Sequence, residues 1–371
     1  MDTFDVIVIG AGLVGGATAY GLARAGQKVA VLDEGDLAVR PSRGNFGLVW
    51  VQGKGFRRPE YARWSMLSAR LWNDLAPELR DLTGIDTGHE NRGGFLLQIN
   101  KQEYDDARAL LNSIGDSLGE GQYDITFMNN NELASHLPGL GPEVYGGSYS
   151  PYDGHANPLF LLHALHAGFQ AKGGRYFAEH PATAIAAAEG GYRVTTPKGV
   201  FAAAKVALTA GFGNSGLAGQ VGLRVPLVPS HGQLLITERT APFLEYPTNL
   251  VRQTREGTVM LGYTAGEFGF DTGTRVEFMR DIAWRTRKAF PLVGDLRVVR
   301  TWAALRTMTP DGFPVYEQSQ SHPGVFVASC HSGVTLAAAH ALRYATWVAD
   351  GAIPEEMSCF RSGRFDVQTA A

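Results

Sequence analysis

The chain has 371 residues, of which 44% are hydrophobic and 19% are charged, a composition typical of a globular protein with a large buried core. A formal net charge of -3 argues against nucleic acid as the main partner, because phosphate binding depends on an excess of lysine and arginine. The two cysteines, Cys330 and Cys359, are too few for a disulfide framework or a zinc cluster, so we expect a cytoplasmic protein without a metal site.

The first apolar run of the chain, residues 6–23, has the hydrophobicity of a signal peptide but not its flanks. Asp2 and Asp5 stand where a basic segment precedes a signal sequence, and five glycines interrupt the run. No later stretch reaches the roughly 18 consecutive apolar residues of a transmembrane helix. The sequence therefore predicts no membrane span.

The same N-terminal segment predicts a strand, a helix and a second strand. Residues 6–9 form a continuous apolar run, which is typical of a strand buried on both faces of a parallel sheet. Glycines interrupt the pattern over 10–16, residues 17–25 predict a helix, and residues 28–32 predict a second buried strand. Together these elements form one βαβ unit within about 30 residues.

The remaining elements show no internal repeat and no long linker. Helices are predicted over 60–83, where Pro77 breaks or kinks the run, over 158–172 and over 334–349. Strands are predicted after the glycine pair 173–174 and over 93–98, 144–150, 224–237, 257–263 and 325–328. The strands in the middle of the chain therefore belong to a part inserted between pieces of a dinucleotide fold.

The turn after the first strand, residues 10–15 (GAGLVG), fits the pattern G-x-G-x-x-G. Gly10 permits a tight turn, Gly12 lets the backbone approach a pyrophosphate, and Gly15 allows the helix to pack closely on the strand. The helix that follows offers unpaired N–H groups and a positive dipole end to phosphates. The turn therefore predicts a dinucleotide-binding site.

Two acidic residues, Asp33 and Glu34, end the second strand. Their distance from the glycine turn is the one at which a carboxylate accepts hydrogen bonds from ribose hydroxyls, and either residue can do so. Because FAD and NAD share their ADP half, these residues leave the choice between the two cofactors open.

Several segments of the chain occur in the order found in the D-amino-acid oxidase superfamily of flavoproteins, which includes glycine oxidases and sarcosine oxidases. The resemblance covers the nucleotide-binding start, the loop beside the flavin ring, a strand-to-glycine turn, the active-site face and a C-terminal loop that closes on the flavin. These segments are 5–35, 42–47 (SRGNFG), 206–211 (VALTAG), 306–312 (RTMTPDG) and 331–333 (HSG). Their shared order is more specific than any single motif.

The resemblance implies an α/β fold, α+β overall, with a Rossmann-like FAD-binding domain made of discontinuous segments. That domain would comprise residues 1–90, 141–220 and 301–371, and an inserted antiparallel-sheet domain for the substrate would comprise 91–140 and 221–300. FAD would be bound without a covalent link, because Ala304 stands where some sarcosine oxidases carry the linking cysteine. The implied cofactor-binding residues are Gly10, Gly12, Gly15, Asp33, Glu34, Ser42, Arg43, Asn45, Gly47, Leu48, Ala210, Gly211, His331, Ser332, Gly333, Val334 and Thr335.

Within the superfamily, residues 42–55 (SRGNFGLVWVQGKG) and 330–335 (CHSGVT) resemble the catalytic subunits of opine oxidase and D-hydroxyproline dehydrogenase. This implies oxidation of an opine, D-hydroxyproline or a similar D-amino or imino acid by hydride transfer to flavin N5, giving an imine that water hydrolyses. It also implies partner subunits that carry the electrons onward. Any FMN or iron–sulfur cluster would belong to those subunits, because this chain lacks the cysteines to bind a cluster.

Arg306 is the first candidate for the substrate, because a guanidinium binds a carboxylate bidentately and would fix the α-carbon beside the flavin. In the glycine and D-amino-acid oxidases that the chain resembles, the matching arginine holds the substrate carboxylate. A surface or structural arginine is the alternative. Tyr263 follows a predicted strand and His231 lies at the edge of the same sheet, so each is either a catalytic side chain in the cavity or a packed structural one.

Three alternatives for the function stay open. A stand-alone oxidase would return electrons to oxygen, but Gly269 stands where sarcosine oxidases carry the lysine that promotes this reaction, which favours a dehydrogenase. A non-catalytic flavin-binding subunit would bind FAD without reducing it. An NAD-dependent dehydrogenase is disfavoured by the C-terminal flavin loop.

Two further features have a structural and a functional interpretation. Cys330 has no second cysteine near it in sequence, which favours a small residue packed under the flavin over a redox thiol. The basic stretch 53–59 (GKGFRRP) is either a solvated loop or a docking surface for a partner or a cofactor phosphate.

Overall fold

The computed structural model describes residues 3–35, 41–262 and 264–369. Its strands are β1 (Thr3–Ile9), β2 (Val29–Leu32), β3 (Leu48–Val49), β4 (Gly94–Gln98), β5 (Thr126–Asn129), β6 (Gly146–Ser150), β7 (Gly154–His155), β8 (Arg175–Phe177), β9 (Ala184–Ala188), β10 (Gly191–Thr196), β11 (Gly199–Leu208), β12 (Val228–Arg239), β13 (Val251–Gln253), β14 (Thr258–Leu261), β15 (Val298–Met308), β16 (Val315–Gln318) and β17 (Val325–Ser329). Its α-helices are α1 (Leu13–Arg24), α2 (Pro59–Thr83), α3 (Lys101–Leu118), α4 (Asn130–His136), α5 (Pro158–Ala171), α6 (Asn214–Ala218), α7 (Val276–Ala289), α8 (Ala337–Ala339) and α9 (Ala345–Asp350). Within these ranges, no helix combines the length and the hydropathy needed to cross a membrane.

An eight-stranded sheet forms the dinucleotide half of the molecule, and β17, β11, β1, β2 and β8 run parallel to one another in it. Val6 and Val8 of β1 pack into one core cluster, and Ile7 and Ile9 pack into a second cluster. Successive side chains of a strand point to opposite faces, so the two clusters cover the two faces of the sheet. This arrangement explains the continuous apolar run of β1 and confirms the predicted βαβ start.

Helix α1 and the C-terminal helical segment begin at the same edge of this sheet, because each follows a parallel strand, β1 or β17. The helix predicted over 334–349 is found as α8 and α9, joined by a π-helical segment, His340–Tyr344. A Cβ on Gly21 of α1 would come within 2.0 Å of the Ala341 carbonyl oxygen, so glycine allows the two helices to approach. Two helix beginnings therefore lie close together above the parallel strands.

The helix predicted over 60–83 is α2, and it runs through Pro77 without a break. A proline inside a helix removes one backbone hydrogen bond and costs about 3 kcal/mol. Leu75 and Leu79, on either side of Pro77, are each 0% exposed. Burial of two such side chains contributes about 1.5–3 kcal/mol each, which offsets the cost of the proline.

Two antiparallel sheets form the other half of the molecule, in the orders β13-β14-β12-β15 and β4-β6-β5. They share one core, to which Phe95, Leu235, Val259 and Phe290 contribute. β6 pairs with β4 and β5, and β15 pairs with β12, so β6 and β15 belong to the antiparallel sheets. The predicted domain limits stay predictions.

Candidate FAD site and active site

The glycine turn after β1 has the backbone geometry that the sequence predicts. Gly10 has a φ of 97°, a left-handed value that favours glycine, and a Cβ on it would lie 2.6 Å from the Ala210 Cα. A Cβ on Gly15 would lie 1.8 Å from the Gly10 carbonyl oxygen, so α1 packs on β1 only with glycine at that position. Gly12 is the N-cap of α1 and has no side chain to cap the helix. The first turn of α1 is therefore suited to an anionic group.

Asp33 and Glu34 both line the space next to this turn, but they differ in burial. Asp33 is buried, and its two carboxyl oxygens accept the N–H groups of Ala11, at 2.7 Å, and Gly35, at 2.9 Å. Glu34 is exposed. Asp33 therefore holds the backbone of the turn and lines the cavity as a buried carboxylate, whereas Glu34 lines it as an exposed one.

A cavity of 360 Å³ lies at the carboxyl ends of the parallel strands. Its lining comes mainly from 9–14, 32–34, 41–45, 209–213 and 328–333. The nucleotide turn, the expected flavin loop, the strand-to-glycine turn and the C-terminal loop thus meet at one place, although they are far apart in the sequence. We name this space the first cavity.

A second cavity of 530 Å³ adjoins the first, and the two share Pro41, Asn45 and His331 in their lining. One side comes from the dinucleotide half, and the other side comes from β12 and β15 of the four-stranded sheet. Among the described residues, no aspartate or glutamate lines the second cavity. It is therefore a space between the two halves to which the described residues contribute no negative side chain.

Strand β15 presents Arg306 to the second cavity. Its Nη1 donates a hydrogen bond to the His231 carbonyl oxygen at 3.3 Å, and its Nη2 donates to the Thr264 carbonyl oxygen at 2.9 Å. A Cβ on Gly232 of the neighbouring strand would lie 2.7 Å from Cζ and from both Nη atoms, so the guanidinium occupies the space above this glycine. The arrangement holds a planar cation at the cavity wall, where it can bind a carboxylate.

The family model described as FAD dependent oxidoreductase matches residues 5–347. The chain belongs to this family of FAD-dependent oxidoreductases. An opine oxidase subunit of Agrobacterium tumefaciens (strain Ach5) and the protein of the same name from Rhizobium meliloti are each 40% identical to it over 370 residues, which cover 100% of both chains. Glycine oxidase of Geobacillus kaustophilus (strain HTA426) is 25% identical over 341 residues, which cover 90% of this chain and 89% of that one.

Solved structures show the same fold. A crystal structure of glycine oxidase from Geobacillus kaustophilus superposes with a TM-score of 0.89 at 24% identity, covering 97% of this chain and 98% of that one. A crystal structure of L-proline dehydrogenase from P. horikoshii superposes with a TM-score of 0.84 at 20% identity, covering 99% of each chain. These superpositions confirm the expected fold class. The family model and the 40% identical relatives confirm the expected resemblance to the D-amino-acid oxidase superfamily.

The first cavity fits FAD, since the glycine turn itself places no side chain before the first turn of α1. The Ser42 hydroxyl lies there and accepts the Leu13 N–H at 2.9 Å, and a hydroxyl can also donate a hydrogen bond to a phosphate. The residues expected at the cofactor that line the first cavity are Gly10, Gly12, Asp33, Glu34, Ser42, Asn45, Ala210, Gly211, His331 and Gly333. Those that line the second cavity are Asn45, Leu48, His331, Ser332, Val334 and Thr335. Gly15, Arg43 and Gly47 line neither cavity. Direct contact of any of these residues with FAD stays a prediction.

The C-terminal loop of this flavoprotein places a neutral ring between the two cavities. Burial lowers the pKa of His331 to about 3, and the positive charges of Lys54 and Arg306 lower it further. The Ser332 hydroxyl shares hydrogen bonds with His331 Nε2 at 3.1 Å and with the Tyr61 hydroxyl at 2.8 Å. His331 is therefore uncharged and hydrogen-bonded at neutral pH.

The two other candidate catalytic side chains have different outcomes. Tyr263 lies outside the described residues. The side chain of His231 is 0% exposed and lines neither cavity, and its Nε2 lies 2.9 Å from the Gly273 carbonyl oxygen. The His231 ring therefore packs away from both cavities, whereas its backbone carbonyl accepts a hydrogen bond from Arg306. A catalytic role of His231 stays a prediction.

The sequence interpretation missed Lys54, which lines the second cavity. Burial lowers its pKa to about 7, although the nearby Asp153 and Cys330 groups act in the opposite direction. The basic stretch 53–59, to which Lys54 belongs, predicts only a solvated loop or a docking surface. The sequence feature that could have indicated Lys54 is its position between Gly53 and Gly55. Both glycines have left-handed backbone conformations, so the chain turns at Lys54.

Cys330 lines the first cavity as a small, partly buried residue. Burial raises the pKa of its thiol to about 12, so the thiolate needed for redox chemistry does not form at neutral pH. Both cysteines are free. In the part of the chain that the structure describes, no three histidine, cysteine, aspartate or glutamate side chains are grouped for a metal ion.

Proposed function

We propose that this flavoprotein oxidises an amine that bears a carboxylate, such as an opine, D-hydroxyproline or a related D-amino or imino acid. The observation that carries the proposal is the guanidinium of Arg306, fixed in a cavity that adjoins the FAD site. A guanidinium that binds a carboxylate bidentately holds the neighbouring carbon and its amine in one orientation. The 40% identical relatives are both named as opine oxidase subunits, which supports the same class of substrate.

The lining of the second cavity favours the neutral form of the amine. Arg306 and Lys54 both line it, and no carboxylate of the described residues does so, which disfavours an ammonium ion there. With a pKa of about 3, His331 is too weak a base to remove a proton from an ammonium ion. The chain itself therefore orients the substrate and selects the unprotonated amine.

Bound FAD supplies the acceptor for the two electrons that leave the carbon–hydrogen bond next to the nitrogen. The substrate becomes an imine, which water hydrolyses to a carbonyl compound and an amine. Pro41, Asn45 and His331 line both cavities, so they stand where the cofactor and the substrate meet.

Anaerobic reduction of the flavin tests this function. The purified holoprotein is mixed without oxygen with octopine, nopaline, D-hydroxyproline, D-proline, sarcosine and glycine, and the visible absorbance of oxidised flavin is followed. We expect one amine carboxylate to bleach the flavin, and Arg306→Gln to slow that bleaching at least about 100-fold at unchanged FAD content. An unchanged rate in Arg306→Gln would contradict the proposed role of the guanidinium.

We further propose that the chain is the catalytic subunit of a larger assembly. The relatives that it matches over its full length are named as subunits, which supports this role. Its two unbonded cysteines support the expected reducing, cytoplasmic compartment. Flavin that stays bleached when air is admitted, and is reoxidised only with a partner subunit present, is the expected result for this assembly.

A stand-alone oxidase is the second candidate, and one observation favours it. Gly269 lies in an exposed segment, but Lys54 brings a lysine to the second cavity from another part of the chain. In the sarcosine oxidases that the chain resembles, a lysine over the flavin promotes the reaction with oxygen. Rapid reoxidation of the bleached single chain in air, with formation of peroxide, would select this candidate.

A further inference from the structure

Lys54 is a cation in the second cavity without a hydrogen-bonding partner among the described residues. It lines this cavity together with Arg306, and its side chain is only partly exposed. Within the described part of the chain, no oxygen accepts a hydrogen bond from Lys54 Nζ, which lies 5.7 Å from the centre of the Tyr61 ring. A lysine ammonium has three donors, so this group retains its full capacity to bind an anion.

The backbone that carries Lys54 is held in place by buried groups. Gln52 Nε2 donates a hydrogen bond to Asp153 Oδ2 at 2.7 Å, and the Gly53 N–H donates to the Tyr123 hydroxyl at 3.1 Å. Asp153 is 0% exposed. Because the loop is fixed before a ligand arrives, binding through Lys54 requires little ordering of the backbone.

Lys54 and Arg306 reach the second cavity from different parts of the fold. Lys54 follows β3 on the dinucleotide side, whereas Arg306 belongs to β15 of the four-stranded sheet. Both charges lower the pKa of His331, so both lie near that ring. The Arg306 guanidinium can bind one carboxylate bidentately. No described carboxylate lines the cavity to balance the charge of Lys54.

We propose that Lys54 binds a second carboxylate of the substrate, so that the cavity selects amines with two carboxylates, one on Arg306 and one on Lys54. This inference rests on the proposed function and names the substrate class of the same site. A buried ammonium is disfavoured until an anion compensates it, and the second carboxylate provides that compensation. With a single-carboxylate amino acid, Lys54 has the buried Asp153 nearby but no ligand carboxylate within the cavity. This difference makes Lys54 a specificity-determining residue.

A pair of matched substrates tests the role of Lys54. Octopine, which is N-(1-carboxyethyl)arginine, has two carboxylates, and N-ethylarginine lacks the second one. For each holoprotein, the ratio of kcat/KM for the first compound to kcat/KM for the second is measured. We expect this ratio to fall about 10- to 100-fold in Lys54→Met, mainly through KM, because one charge-assisted hydrogen bond is lost.

Two control variants sharpen this comparison. Lys54→Arg keeps the charge and should keep the preference for two carboxylates. Lys172→Met removes an exposed lysine that does not line the cavity and should give the wild-type ratio. An unchanged ratio in Lys54→Met, or an equal loss with both compounds, would overturn the proposal. Slower reoxidation of Lys54→Met in air at an unchanged ratio would also overturn it.

An equilibrium titration separates this inference from the proposed function. Diglycolate has two carboxylates but an ether oxygen in place of the amine, so it cannot be oxidised, and ethoxyacetate is its match with one carboxylate. Binding to the oxidised holoprotein is followed through the flavin spectrum. We expect the wild type to prefer diglycolate and Lys54→Met to lose that preference. If no amine reduces the flavin, the proposed function fails, and this titration still decides whether Lys54 binds a second carboxylate.

Discussion

Gly232 offers a way to move the guanidinium of Arg306 without replacing the arginine. In Gly232→Ala the new Cβ would lie 2.7 Å from Cζ and from both Nη atoms of Arg306, whereas ordinary contact begins at 3.4 Å. The guanidinium therefore has to move by about 0.7 Å to restore ordinary contact. A misplacement of about 1 Å in a substrate-positioning group costs about 100-fold in rate. We therefore expect kcat/KM for an amine carboxylate to fall about 100-fold.

The assay is anaerobic flavin reduction by stopped-flow absorbance, with FAD content and thermal unfolding measured in parallel. Stability should change little, because the displaced atoms are the far end of a flexible side chain. Gly216→Ala is the matched control, since a Cβ there meets no atom within 4 Å. If Gly232→Ala reduced its flavin as fast as the wild type, the placement of Arg306 would not matter to the substrate, and the reasoning would be refuted.

Three further predictions follow from contacts and pKa values. Gly15→Ala places a Cβ 1.8 Å from the Gly10 carbonyl oxygen, so FAD content and melting temperature should fall, and full FAD content would contradict the packing described. Lys54 is charged below its pKa of about 7, so the preference for two carboxylates should weaken as the pH rises through that value. Burial also raises the pKa of Asp153 to about 7, so Asp153 titrates in the same range. Lys54→Arg keeps Asp153 but stays charged at position 54, and it should therefore lose this pH dependence. A wild-type preference that does not change with pH would refute the prediction. Cys330, whose thiol pKa burial raises to about 12, should resist iodoacetamide in the native protein at about pH 8. Alkylation as fast as in the unfolded chain, measured by mass spectrometry, would show that the thiol is not protected.

The fold was predictable where local pattern and burial agree. The apolar run of β1 predicts a strand covered on both faces, and the two core clusters on either side of it are the result. β6 and β15 join their sheets by pairing with strands that are distant in the sequence. A local sequence pattern does not indicate which distant strand will be the partner. The predicted break at Pro77 is wrong for a related reason, because the burial that keeps α2 continuous comes from the tertiary core. The predicted kink stays a prediction.

The candidate site shows the same division between local and tertiary information. The glycine turn and Arg306 are found by motif and by the order of motifs along the chain. Side chains alternate along a strand, so with Gly232 facing the Arg306 guanidinium, the neighbouring His231 faces the other way. Lys54 lies in a glycine-rich basic stretch typical of a solvated loop, and its burial depends on Asp153, which comes from a distant segment.

The most direct test of a carboxylate-binding active site is the anaerobic reduction of the flavin by an amine carboxylate and by its amide. Both rates are measured in the wild type and in Arg306→Gln at equal FAD content. The wild type should prefer the carboxylate by about 100-fold or more, and Arg306→Gln should show little preference, since the amide lacks the charge that the guanidinium binds. The same preference in both proteins would mean that Arg306 does not bind the substrate carboxylate, and this would contradict the proposed site.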